Sequence, residues 1–179
     1  MQTLKDKKFM IIMIIALLMA TANLGTAQAA SGTAIISGTS DGSTVSGAVS
    51  LTDTPEGLKV SATFKNVPPG KHGFHIHENG ACGDTGKEAG GHFNPAKVDH
   101  GLLSKDGFEH AHAGDFGNIE IAEDGTGSFE VVEKGLTLSE GEHAVAGKAF
   151  ILHEKEDDFG QPTGNAGGRI GCDIIELTE

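Results

Sequence analysis

Tryptophan and tyrosine are absent from the 179 residues, arginine occurs once and cysteine twice. With no large polar-tipped aromatic available, the interior has to be assembled from small β-branched residues, leucine and phenylalanine. Basic residues are scarce as well: 13 Lys and Arg face 25 Asp and Glu, a formal charge of −12. Nucleic acid and anionic membranes are therefore excluded as partners, because both are recognised through clustered cations. Apolar stripes at helical spacing are almost missing, which leaves little material for an α-helical architecture.

Long apolar runs are missing too, except near the start, where Phe9 to Ala20 follows Lys5, Lys7 and Lys8. A membrane anchor needs about 20 unbroken apolar residues. This run gives way to Thr21, Asn23 and Gly25 and ends in Ala27-Gln28-Ala29, the pattern of a cleaved signal peptide. The expectation is a signal peptide over 1–29 and one domain over 30–179, with no membrane association after cleavage. No cysteine marks a lipid anchor and no Arg-Arg pair marks twin-arginine export, so the expected product is soluble, periplasmic or extracellular. Cleavage would remove three lysines and one aspartate, taking the charge from −12 to −14. Both cysteines, Cys82 and Cys172, fall in the exported part, and an even count in an oxidising compartment favours one disulfide. Closing a loop of about 90 residues stabilises by roughly 4–5 kcal/mol in the chain-entropy model.

From Ser31 onward the chain reads as short segments of Val, Ile, Thr and Phe alternating with polar residues. Eight strands are predicted, over 32–38, 44–52, 57–66, 72–78, 117–122, 127–132, 147–153 and 170–177. Ser40-Asp41-Gly42, Thr54-Pro55-Glu56-Gly57, Pro68-Pro69-Gly70 and Glu123-Asp124-Gly125 supply turns between neighbours. Two segments, 79–116 and 154–169, carry neither alternation nor a helical stripe. The first far exceeds the roughly 12–15 residues at which a structureless loop becomes suspicious. It holds Cys82, His92, His100, His110, His112 and Asp115, so a disulfide and a metal ion are the pins available to it.

In a strand, residues i and i+2 share a face, so His75 and His77 project together with Cα atoms about 6.5–7 Å apart. His72, Phe74 and Ile76 take the opposite face, which marks His72 as a hydrogen-bonded interior or rim residue. Three imidazoles and a carboxylate drawn from His92, His100 and His112-Ala-Gly-Asp115 suit tetrahedral zinc. His75 and His77 with a further imidazole, His153, suit the tetragonal nitrogen site that Cu(II) prefers.

The stretches GFHIHENGAC, GGHFNP followed by His100, HAGDFGN, GKAFILHEKEDDFG and GNAGGRIGC occur in this order. Over essentially the whole exported region the chain resembles the copper/zinc superoxide dismutases. The resemblance implies an all-β, eight-stranded Greek-key barrel or sandwich with two long functional loops. It implies copper on His75, His77, His92 and His153 and zinc on His92, His100, His112 and Asp115, with His92 bridging both as an imidazolate. It further implies that Asp157 links a copper histidine to a zinc histidine, that Arg169 stands beside the open copper position, and that Cys82 pairs with Cys172. The implied activity converts superoxide to O2 and hydrogen peroxide by copper redox cycling, with zinc structural and with His92 taking up and returning a proton.

His143 matches a family position that is not a ligand. His110 competes with His112, which is preferred because it alone precedes Gly114-Asp115 at the family spacing. The run 164–168 precedes a strand instead of opening a helix and is no phosphate cradle. Lys148 and Lys155 stand as helpers to Arg169 in focusing an anion on so acidic a protein. Monomer and homodimer both stay open. The rival readings are a non-catalytic metal-binding module and a purely structural sandwich.

Overall fold

Leu58, Val60, Ala62 and Phe64 alternate with less buried polar neighbours along β4 (Gly57–Lys65), and their side chains enter the core. The same period-2 logic shapes the rest of the computed structural model, which describes residues 29–178. The expected signal peptide, apart from Ala29, lies outside the described residues. Among these residues no helix is long and apolar enough to cross a membrane.

The other strands are β1 (Ser31–Ala34), β2 (Ser37–Gly38), β3 (Ser46–Thr54), β5 (Gly70–His77), β6 (Asp115–Ile121), β7 (Gly127–Glu133), β8 (Ala149–His153), β9 (Arg169–Ile174) and β10 (Glu176–Thr178). β1 and β2 both pair with β3, while β10 pairs with β1 and β9 with β2. They are therefore two halves of one first strand and two halves of one last strand, which gives eight barrel strands. At the first break the Ile35 N–H turns to the Asp173 carboxylate at 2.5 Å. At the second, Ile175 bonds Lys148 and Gly147. The order around the barrel is β1/β2, β3, β4, β7, β6, β5, β8, β9/β10, antiparallel throughout and closed by the last pair. The β4–β7 and β5–β8 neighbours are out of chain order, so two connections cross in the Greek-key manner.

The eight predicted strands are all present, with ends displaced by at most two residues. One difference bears on the site: β6 begins at Asp115, so the first long loop stops at Gly114. That loop also contains a 3-10 turn, Lys87–Ala89, and a single helical turn, α1 (Leu103–Asp106), neither of which the periodicity signals.

Phenylalanines fill the core in place of the missing Trp and Tyr. Phe74 stacks on Phe150 at 4.8 Å and meets Phe64 edge-on at 5.4 Å and Phe129 at 5.8 Å. Such pairs add about 0.5–1.5 kcal/mol each beyond area burial.

Glu133, at the end of β7, is 3% exposed, and burial pushes its carboxyl up to about 7. A carboxyl whose folded-state pKa lies above its ordinary value of 4.5 binds protons more tightly when folded. Its contribution to stability is full below about pH 4.5 and is lost as pH rises through about 7. Glu133→Gln is therefore expected to raise the melting temperature at pH 8 and to have little effect at pH 4.5. Equal shifts at both pH values in thermal unfolding would count against this.

Candidate metal centre

Every residue from His72 to His77 on β5 is buried, so this strand is covered on both faces. Phe74 and Ile76 belong to the barrel core. His75 and His77 occupy the outer face, beneath the two long loops. The β5–β6 register shifts between Gly73 and His75, and the loop takes up the backbone groups released there. Phe93 N–H donates to Ile76 O at 2.8 Å, Ile76 N–H to Gly114 O at 3.0 Å, and Gly114 N–H to Phe93 O at 3.0 Å. A Cβ on Gly114 would stand 2.1 Å from Ile76 O, so only glycine permits this approach. His92 is thereby set in a bridge beside His77. A second register shift, between Leu152 and His153, ends β8 at the same place.

Two groups of four buried side chains result, His75, His77, His92 and His153 in one and His92, His100, His112 and Asp115 in the other. Within each, one donor atom per residue lies within 4.8 Å of the rest. His92 belongs to both. His77 Nε2 and His153 Nε2 are 3.3 Å apart, and His92 Nδ1 and His112 Nδ1 are 3.4 Å apart. Two ligands at about 2.0–2.1 Å on a tetrahedral ion stand roughly 3.4 Å apart, so these spacings match a shared ion. Asp115 brings Oδ1 to 2.7 Å from His92 Nδ1 and 3.1 Å from His112 Nδ1, and Oδ2 to 2.8 Å from His100 Nδ1.

Three buried ring nitrogens, His75 Nδ1, His100 Nδ1 and His153 Nδ1, have no hydrogen-bond partner. Buried polar atoms are nearly always paired, so the orphaned His75 and His100 nitrogens fit metal ligation, whereas His153 meets its ligand group through Nε2, beside His77 Nε2. His100 Nδ1 is orphaned although Asp115 Oδ2 is 2.8 Å away, because the approach lacks hydrogen-bond geometry.

Burial drives the imidazoles toward their neutral, ligating form. It lowers His75 and, with the charge of its histidine neighbours, takes His92 to about 4 and His153 to about 2. His77 is depressed by burial and by His92. At His100 burial also acts downward, but the Asp115 and Asp157 carboxylates prevail and raise it to about 9. Burial opposes ionisation of Asp115, yet His100, His112, His92 and the Gly101 amide hold it well below the usual carboxylate range. The pocket thus sets neutral imidazoles beside two carboxylates that stay ionised, with His100 held between those carboxylates, the donor set that a divalent cation requires.

Asp157 stands between the groups. His75 Nε2 is 2.8 Å from its Oδ2, and His100 Nε2 is 3.0 Å from both carboxylate oxygens. Burial would raise this carboxyl, but His100, His75 and the Phe159 amide keep it below its ordinary range. Arg169, on β9, donates from Nη1 to Gly86 O and from Nη2 to Gly90 O, both at 2.6 Å. Gly90 O also accepts from His77 Nδ1 at 3.0 Å. These carbonyls sit on the segment that the Cys82–Cys172 disulfide ties to β9, with Cα atoms 5.8 Å apart.

An open cleft of about 350 Å³ is lined by His77, His92, His153, Thr163, Asn165 and Arg169 among others, and Arg169 is its one cation among the described residues. Lys148 is turned elsewhere, its ammonium 4.0 Å above the Phe93 ring, and Lys155 lies along Gly167. A larger groove of about 520 Å³ on the outer face of β3, β4 and β7 holds Glu130 as its sole ionisable group and gathers no chemistry.

His72 is 3% exposed, with ring nitrogens 2.9 Å from His153 O and 2.8 Å from Pro68 O, outside both groups. His110 is exposed and also outside both. His143 stacks on Phe108 at 3.7 Å. Asn118, Phe159 and Gln161 contact the site and were not singled out from sequence. Asn118 stands in the quoted HAGDFGN stretch, directly after Gly117 and in the middle of β6, where nothing in the local pattern signals its role.

The sequence model for copper/zinc superoxide dismutase matches residues 45–175. Among solved structures, that of the clock protein EA4 aligns with a TM-score of 0.75 at 33% identity, covering 86% of this chain and 98% of that one.

Proposed function

Since the chain belongs to the copper/zinc superoxide dismutase family, an oxidoreductase family, we propose that it is an exported enzyme that converts two superoxide anions and two protons to O2 and hydrogen peroxide. His75, His77, His92 and His153 would hold copper, and His92, His100, His112 and Asp115 would hold zinc. Copper, when bound, supplies the one-electron exchange that zinc, with no accessible redox step, does not. The observation that carries the reading is the sharing of His92 between two buried ligand sets beside one arginine.

Each remaining residue has a task in this reading. His92 commits Nδ1 to the Asp115 side and leaves Nε2 to take and return a proton on the other. Asp157 orients the rings of His75 and His100, the kind of outer partner whose loss costs about 10–100-fold in affinity or activity. Arg169, an always-charged fork held by two carbonyls, attracts a small anion to the cleft and positions it. On a surface this acidic such a local focus is needed, because the net field repels superoxide. Export is supported by the N-terminal sequence pattern and by the disulfide, a bond that persists in oxidising compartments.

Copper-loaded protein is expected to remove superoxide catalytically, whereas protein carrying zinc alone is not. Stoichiometric copper binding without turnover would replace this reading with that of a metal-binding module.

A further inference from the structure

The segment after Asp157 reaches the second ligand group through residues that the proposed chemistry does not use. Gln161 meets the His100 peptide at both of its polar ends: Nε2–H donates to His100 O at 2.9 Å, and Oε1 accepts His100 N–H at 3.0 Å. Neither backbone group of His100 has another hydrogen-bond partner among the described residues. Phe159 lays its ring nearly parallel to the His100 imidazole, at 6.2 Å between centroids and 18° between planes.

The segment is well placed to act as a brace because it is closed on itself. Asp158 N–H donates to Gly164 O at 2.9 Å and Gly164 N–H to Gly160 O at 2.6 Å. The Asp158 carboxylate accepts from Gly160 N–H at 2.8 Å and from the Asn165 amide at 3.1 Å. Its base is fixed to β6 by the same device: Asn118 Nδ2–H donates to Asp157 O at 2.8 Å, and Asp157 N–H to Asn118 Oδ1 at 2.7 Å. A carboxamide reproduces the donor and acceptor of a peptide, so two such side chains extend backbone pairing across segments distant in sequence.

The geometry points to Gln161, backed by Phe159, as a positioning pair that keeps His100 in the ligand group with His92, His112 and Asp115 and so slows release of the ion held there. This rests on the reading of that group as the zinc site. Without Gln161 the His100 N–H and C=O are left to water, and the Gly101 N–H bond to Asp115 Oδ2, at 3.0 Å, is the nearest restraint left on the backbone that carries this ligand. Outer partners of ligands are worth about 10–100-fold in metal affinity, and a pair acting on the ligand's backbone belongs to that range.

The test uses mature, disulfide-bonded protein loaded with copper and zinc. It compares the parent with Gln161→Ala and with Gln161→Met, which keeps length and apolar contact but loses both hydrogen bonds. Zinc transfer to an excess of chromogenic chelator is expected to be about 10–100-fold faster in both variants, with copper retention unchanged. The visible spectrum of cobalt placed in the same site is expected to shift in both. Release within twofold of the parent in Gln161→Met overturns the inference, whatever Gln161→Ala does, since that result would assign the effect to packing. His112→Ala separates the two levels. If it binds zinc as the parent does, the zinc-site reading fails and the inference with it; if it loses zinc while Gln161→Met releases normally, only the brace fails.

Discussion

Replacing His92 with alanine is expected to abolish superoxide removal and to lower the bound content of both metals. His92 is the one side chain common to the two ligand groups, and its Nδ1 lies 2.7 Å from Asp115 Oδ1. Its loss takes a ligand from each centre and leaves the buried Asp115 anion short of a partner. The fall in turnover should exceed the roughly 100-fold that an outer partner is worth, because a direct ligand is lost. His110→Ala is the internal control: the residue is exposed and outside both groups, and activity and metal content should match the parent. Metal analysis with a superoxide assay decides the matter. A His92→Ala protein that keeps both metals and more than a tenth of parental activity would refute the shared-ligand assignment.

The second large effect is expected on removing the disulfide by Cys82→Ala with Cys172→Ala. The bond joins residues 90 apart in sequence, and the chain-entropy model assigns it about 4–5 kcal/mol. For a domain of this size that is a fall of roughly 10–20 °C in melting temperature. Stability is only half of the consequence. The tied segment seats Ala89 against Ala149 and Ile151, and its Gly86 and Gly90 carbonyls hold the Arg169 fork and His77 Nδ1. Freed of the bond, this segment should let Arg169 and His77 turn, so turnover should fall several-fold even well below the new melting temperature, at full copper loading. Unchanged turnover under those conditions would show that the disulfide serves stability alone.

How much of this was legible in the chain depends on the range of the interactions concerned. Strand alternation and turn residues act over two to four positions, which is why the eight strands were readable to within two residues and why His75 and His77 could be placed on one face. Where the ends moved, a distant partner moved them. Asp115 joined β6 because that strand pairs with β5 opposite His75, and the first and last strands split where Ile35 and Ile175 found other partners. The turn α1 escaped notice because four residues cannot display a helical period. Spacing to Asp115 favours His112 over His110, and the fold places His112 Nδ1 3.1 Å from Asp115 Oδ1 while His110 is exposed.

The amino-acid sequence by itself determined the all-β class, the parity of the paired histidines and, through its ordered motifs, the family. Tertiary structure alone decided how the residues cooperate. Asp157 meets His75 across 82 positions and His100 across 57, Gln161 grips His100 across 61, and Gly90 O serves both His77 and Arg169. The physical reason is that local periodicity sets the direction of a side chain, whereas a buried donor or acceptor is satisfied only by whatever group the closed barrel brings to it.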